Sequence, residues 1–486
     1  MQLKRLVGAI GLCAVLAIPA SGQTYFQAVY GSDQTELFVD LEPLPDGTLL
    51  MLSKSWSDDV GYFLAVVSRM NTNGDTIWSI TLDVVPVGEL VINSNSLYFT
   101  GVNVPDGKSD SDIFLTSVSL DGAYVWSKSF GTDVNEAGGS LLATSDGGFL
   151  IAGITEHSEV SNLQDIFVVK TDSNGTIQWT KRFHGSHNDW PLDVIETNDG
   201  GYFISAGTHS VQPVGVDMLF IKTQETGDTL WTRVLDGSYS DQGFAVAQRP
   251  NGTLCAAGRT SSFGPMSGCI VSFDTNGNLL SSKMFQNADS FSIQGIAPTA
   301  DGGLLISGIG TNTLGNSAAV MAKTNEADQW LWANAYNFSA ITAGESVSES
   351  YSGACLLGGN YIDSVDGTQD VFIALTDAMG ESGCSQEVLE LESSDITYTQ
   401  THIAMSVTAP GSEEDALIST FAGFGLKEIC TYTGILSNGP PTRISVFPNP
   451  CSDKLWVSME NEAEYAAIVI YDITGRTWVS LEPTGA

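Results

Sequence analysis

Residues 146–185 read DGGFLIAGITEHSEVSNLQDIFVVKTDSNGTIQWTKRFHG. An Asp-Gly turn opens the stretch, and an apolar run ending at Gly153 follows it. A polar loop leads to a second run, Asp165–Asp172, then an Asn-Gly turn and a last run through Trp179 to Gly185. Asp-Gly and Asn-Gly readily take the positive φ angles of tight hairpin turns. Apolar runs of about five to seven residues bordered by such turns have the length of strands. With the run preceding Asp146, the stretch reads as four antiparallel strands.

The same landmarks recur on both sides. The first turn returns at Asp46, Asn95, Asp199, Asn251, Asp301 and Ser352. The tryptophan returns at Trp78, Trp126, Trp231 and Trp332, with Leu280 and Cys384 filling the degenerate slots, in steps of 48, 53, 52, 49, 52 and 52 residues. Seven four-stranded units between Tyr25 and Gly380 predict an all-β fold, a seven-bladed β-propeller, in which radial repetition leaves only short, protected sheet edges. The last unit lacks a fourth strand, whereas TYFQAVYG (Thr24–Gly31) has no unit before it. The N-terminal strand is therefore expected to complete blade seven and close the ring. Trp78, Trp126, Trp179, Trp231 and Trp332 are expected to pack between neighbouring blades, since a buried aromatic covers about 150–250 Å².

Composition narrows the function. The chain has 486 residues, 19 basic against 56 acidic, and a formal net charge of −37. Such a field repels nucleic acid and anionic membranes and favours cations and neutral or basic partners. Lys4 and Arg5 precede an apolar stretch, Leu6–Ile18, and the small residues Ala20-Ser21-Gly22. This is the pattern of an export signal over residues 1–22, too short for a membrane span. No later segment has the length and apolarity of a span. Export permits disulfides. Cys255 and Cys269 fall on adjacent strands as either a cross-strand bridge or two buried thiols, and Cys384 and Cys430 flank a non-repeat segment that a bridge would pin to the ring. The expected layout is a signal peptide at 1–22, a propeller at 23–383, a non-repeat β segment at 384–436, a linker at 437–442 and a C-terminal domain at 443–486.

That C-terminal stretch carries ISVFPNPCSDKLWVSM and AAIVIYDITGRTWVS. It resembles the sorting domain of proteins exported by the type IX secretion system of Bacteroidota. Pro448, Asn449, Pro450 and Asp453 match the opening motif, and Tyr471, Asp472, Gly475 and Arg476 the second. The resemblance implies a small β-sandwich, the secretion machinery as partner, and delivery to the cell surface or medium. Family members continue to a glycine-aromatic strand and a basic segment. The sequence stops at Ala486 before either, so an incomplete sorting domain is expected. The propeller units are similar to repeats of large secreted surface proteins from those bacteria.

Residues that could carry chemistry are few. Glu36, Glu136, Asp189 and Asp241 each stand ten residues before the first turn of their unit, at the start of the innermost strand. Ringed carboxylates could take Ca²⁺, a hard cation with six to eight oxygen ligands; the bland alternative is that each caps its own loop. Glu89, Asp289 and Glu345 lie near this position but break the spacing. Asp112, Asp165, Asp217 and Asp370 open the third strand of four units, where a repeated turn-stabilising bond is expected. His184 and His187 form the one histidine cluster, without a third ligand at a diagnostic spacing. No G-x-S-x-G elbow or phosphate loop occurs. The expectation is a non-catalytic surface protein binding polysaccharide or another protein, with no cofactor beyond Ca²⁺. The alternative is a polysaccharide hydrolase or lyase working on the axial face. A quinone-dependent dehydrogenase is the remaining reading, from turns that also mark its blades, though no adjacent-cysteine pair supports it.

Overall fold

The computed structural model describes residues 24–32, 34–103, 110–156, 163–211, 215–287, 290–336, 341–362, 367–384 and 386–408. It also describes the backbone of 412–415, 420–422, 425–433, 444–447, 456–459, 468–471 and 477–481. The export signal at 1–22 and the sorting-motif residues Pro448, Asn449, Pro450, Asp453, Asp472, Gly475 and Arg476 lie outside these.

Seven antiparallel sheets form the ring, six built on four consecutive strands and the seventh on three consecutive strands plus the N-terminal one, as predicted. Blade three, for instance, uses Glu136–Ala143, Phe149–Glu156, Gln164–Thr171 and Ile177–His184. The first strands of successive blades touch one another and line the axis. Closure follows the sequence expectation: Thr24–Gly31 lies against Gln369–Thr376 as the fourth strand of blade seven, with Phe26 opposite Leu375.

Apolar side chains alternate into both faces of each blade, because neighbouring strand residues point to opposite sides. Seven separate clusters of buried apolar residues result, one at each boundary between blades. The tryptophans join these boundaries as expected. Trp179 of blade three packs on Gly227 in the last turn of blade four, where a Cβ would come within 2.8 Å of the indole. Gly227 also has φ +77°, so glycine is required twice over. Trp78, Trp126, Trp231 and Trp332 repeat the contact on Gly122, Gly175, Gly277 and Gly380.

Blade five departs from this plan. Its equivalent position is Ser281, opposite Ser272, rather than Leu280, which is the bulged residue and is exposed. Without an indole to accommodate, the facing turn carries Asp328 at φ +56° in place of glycine. Asp328 instead pairs with the Arg249 guanidinium, and both are buried.

The non-repeat segment forms a belt. Gln386–Val388 adds a fifth strand to the outer edge of blade six, Glu392–Asp395 to blade five and Thr399–Thr401 to blade four. Ser406–Thr408, Ser412–Asp415 and Thr420–Ala422 follow on blades three, two and one. Gly425–Thr433 ends the circuit on blade seven, against the N-terminal strand. Every exposed sheet edge is thereby paired, which removes the usual aggregation hazard of an edge strand. Between its strands the belt inserts apolar residues into the outer mouths of the boundaries: Leu389 and Leu391 at blades five and six, Ile396 and Tyr398 at four and five, Ile403 and Met405 at three and four. The C-terminal stretch forms two hairpins, Ile444–Phe447 with Trp456–Met459 and Ile468–Tyr471 with Thr477–Leu481.

The cysteines divide. Cys384 is disulfide-bonded, whereas Cys255 and Cys269 are free and buried. A bridge between Cys255 and Cys269 is therefore corrected to two thiols. Cys255 stands opposite Ser272 and Cys269 opposite Gly258, an offset of three that turns the sulfurs to opposite faces of the blade. Cys255 accordingly joins the core toward blade six and Cys269 the core toward blade four.

Candidate functional site

The expected acidic ring is dispersed. Glu36, Glu136, Asp189 and Asp241 do begin inner strands, yet each is fully buried at its own blade boundary. Glu136 accepts hydrogen bonds from the Thr132 amide (3.1 Å) and from the hydroxyls of Thr132 (2.6 Å) and Thr155 (2.7 Å). Glu36 has the same arrangement with Ser32 and Ser55. Asp189 accepts from Gly185, Thr208 and Ser210, and Asp241 from Ser262. Each cap stiffens the loop that enters its blade. The second acidic series lies directly across the boundary: Asp370 acts on Glu36, Asp112 on Glu136, Asp165 on Asp189, and Asp241 on Asp217. No group of three or more metal-ligating side chains occurs among the described residues. His187 bonds Ser186 and Ser210 and is drawn into the same loop.

A different set of carboxylates faces the axis, one that the ten-residue spacing passes over. Every inner strand carries a β-bulge at mid-length. A bulge re-aims the side chains beside it. Here it turns Asp40, Glu89 and Asp193 toward the neighbouring blades. Asp40 accepts from the Leu90 amide (3.0 Å) and the Ser346 hydroxyl (2.8 Å), and Glu89 accepts from the Leu141 amide (2.6 Å). Asp193 accepts from the Ser140 hydroxyl (3.2 Å) and the Val246 amide (2.7 Å). These bonds tie blades seven to five together around the axis. Burial, and then repulsion from Asp193, pushes Glu89 up to about 8; burial pushes Asp193 up to about 6 against its hydrogen bonds from Val246, Val194 and Ser140.

The same device builds a cleft of about 300 Å³ where blades seven, one and two meet, lined by Leu37, Phe38, Val39, Lys54, Val87, Glu345 and Asn360. Glu345 is the bulged residue of its inner strand, between Gly344 and Ser346. Asn360 accepts the Phe38 amide at 2.9 Å and steadies the Glu345 carboxyl with its own side chain. Burial raises Glu345 above the usual carboxylate range, although the Asn360 contact opposes it. Burial also pulls Lys54 below its ordinary value. Lys54 Nζ lies 5.8 Å from the centre of the Phe63 ring, which meets Trp56 edge-on at 5.3 Å. Lys54 and Trp56 share one face of their strand, so the aromatic pair lies beside the cleft. An amine lowered and a carboxyl raised in one cleft are groups whose charge states burial has pushed toward neutrality, a mark of functional sites. Lys54 had no signal in the sequence beyond being a lone basic residue in an apolar run. Glu345 was visible only as a carboxylate off its expected position.

These features define a closed seven-bladed propeller with an axial cleft. No family model matches the chain. Over 132 residues it is 28% identical to the regulatory protein FlaEY of Caulobacter vibrioides, a match covering 24% of this chain and 14% of that protein. Among solved structures it is similar to the polysaccharide lyase Uly1, with TM-score 0.46, 10% identity, and coverage of 72% of this chain and 99% of that one. The α-L-arabinofuranosidase Arb93A from Fusarium graminearum gives TM-score 0.39, 12% identity and coverage of 63% and 99%. Sqt1 from Chaetomium thermophilum gives 0.39, 11%, 74% and 99%. Likeness at this level is likeness of fold. The expectation of a non-catalytic protein is nonetheless corrected: the similar propellers include a polysaccharide lyase and an arabinofuranosidase, so the repeated scaffold gives no ground for excluding catalysis. No helix among the described residues is long and apolar enough to cross a membrane.

Proposed function

We propose that this chain is an exported propeller that cleaves polysaccharide in the cleft between blades seven, one and two. The observation that carries the reading is that Lys54 and Glu345 line the same cleft, the amine lowered and the carboxyl raised by burial. Efficient acid–base catalysis uses groups whose proton affinity lies near the working pH. Glu345, in its acid form, gives its proton to the glycosidic oxygen as the bond to that oxygen breaks. The Lys54 amine, in its neutral form, takes the proton released elsewhere: from water that attacks the anomeric carbon in hydrolysis, or from a carbon beside a carboxylate in elimination. Trp56 and Phe63 lie beside the cleft as aromatic surface for a sugar. The net charge of −37 favours a neutral glycan over a polyanion, and with it hydrolysis over elimination. The tail motifs support delivery by type IX secretion to the surface or the medium.

The test is turnover of a polysaccharide panel by the secreted chain, following new reducing ends for hydrolysis and unsaturated products for elimination. Glu345→Gln and Lys54→Met are each expected to lower the rate about 10²- to 10⁴-fold, the usual contribution of a positioned acid or base. Full activity in either variant would remove the cleft from consideration.

A further inference from the structure

The acidic pairs across the blade boundaries obey an all-or-none rule. At the equivalent positions of the other three boundaries stand Leu64 with Val84, Ser267 with Phe291, and Ala318 with Thr342. No boundary sets a carboxylate against a neutral residue. Two buried like charges face each other or neither is present, so whatever makes one tolerable requires both.

At the boundary of blades three and four the answer is visible, because Arg182 binds Asp165 through two nitrogens. The slot of Arg182 is held by Val234 at blades four and five, which supplies no cation there. There Asp217 and Asp241 are 2% and 0% exposed, and Asp217 Oδ2 and Asp241 Oδ1 accept no hydrogen bond. A buried carboxylate oxygen with no donor is costly. We propose that Asp217 and Asp241 hold one proton between them, the acid form of one donating to the carboxylate of the other. The proton comes from solvent as the ring assembles, so the pair takes up one on folding.

The surroundings agree. Asp236, on the fourth strand of blade four, adds negative charge. Cys269 in blade five and Tyr398 of the belt also face Asp241, and burial holds both in their neutral, protonated forms. Burial, then Asp236 and Asp241, pushes Asp217 up to about 6. A carboxyl raised on folding binds more protons folded than unfolded. Its contribution is therefore complete below the unfolded value of about 4 and is lost as pH rises through about 6.

Asp217→Asn tests this in the full chain, because the amide donates to Asp241 at every pH. The variant is expected to melt about 2–4 °C above the parent near pH 8 and level with it near pH 4. Its infrared difference spectrum against the parent near pH 5 should show loss of a protonated-carboxyl band, and Asp241→Asn should reproduce both results. Asp165→Asn should instead melt lower near pH 8, since it strands Arg182. A lower melting point for Asp217→Asn near pH 8, or no such band in the parent, overturns the proposal. So does a rise of the parent's melting point with calcium that Asp217→Asn abolishes, which would make the pair a cation site.

Discussion

Gly227→Ala isolates the contact that joins blade three to blade four. The new methyl group would sit 2.8 Å from Cη2 and Cζ3 of Trp179, and the backbone would have to keep φ +77°. The left-handed conformation costs alanine about 1–2 kcal/mol. Overpacking against a fixed ring adds about 1–3 kcal/mol. The sum is about 2–5 kcal/mol. For a ring of about 400 residues, at roughly 2 cal/mol/K of unfolding entropy each, that lowers the melting temperature by about 2–6 °C. Gly200→Ala is the matched control, with φ +80° and nothing within 4 Å of the added carbon, so it carries the backbone cost alone. Denaturant titration of both variants, of Trp179→Leu and of the double variant completes a mutant cycle. The Gly227–Trp179 coupling is expected to be about 1–3 kcal/mol, as for residues in contact. Equal losses for Gly227→Ala and Gly200→Ala, or additivity in the cycle, would refute the claim that the indole dictates this glycine.

Other boundaries give further expectations. Asp328→Ala leaves the buried Arg249 guanidinium without its carboxylate and should cost about 3–5 kcal/mol, whereas replacing both by apolar residues should cost far less; a denaturant midpoint series distinguishes the two. Glu89 and Asp193 are raised, so folded-state protons are lost as pH climbs through about 6 and then about 8. Stability should fall across that window by at most about 1.4 kcal/mol per pH unit for each proton, and Glu89→Gln should flatten the upper part of a melting-versus-pH curve. Tyr398→Ala should cost about 3–5 kcal/mol, measured by denaturant titration, because the belt ring is 5% exposed and meets Phe263 edge-on at 5.0 Å.

The ring was legible because its signals are local and repeated. Asp-Gly and Asn-Gly turns, alternating apolar runs and Trp179-like positions each report on neighbours within about fifty residues. The axial carboxylates were not legible to a ten-residue count, since Asp40, Glu89 and Asp193 stand six residues before their turns and Glu345 seven, beside the bulge at mid-strand. In blade five no indole marks the slot, and Leu280 stands one residue short of Ser281. The belt escaped notice because its partners lie ever farther back along the chain, from Tyr336 opposite Gln386 to Thr24 opposite Thr433, and all its strands but the last are only three or four residues long. A trace of it exists: Leu389 and Leu391, Ile396 and Tyr398, Ile403 and Met405 recur every seven residues. That period resembles a helical seam when read alone and makes sense only once the spacing of the blades is known.

A cooper's hoop holds staves that would otherwise part at any joint, and residues 386–433 stand in that relation to the blades. The hoop runs against the order in which the blades are made, from the sixth back to the first, and then fastens on the seventh beside the opening strand. A chain emerging from its N-terminus can close the wheel before the hoop arrives, yet cannot tighten it until residue 433 is free. The finished object therefore cannot exist until nearly all of the chain through residue 433 is free, and prying one joint apart afterward means peeling the hoop from its neighbours as well.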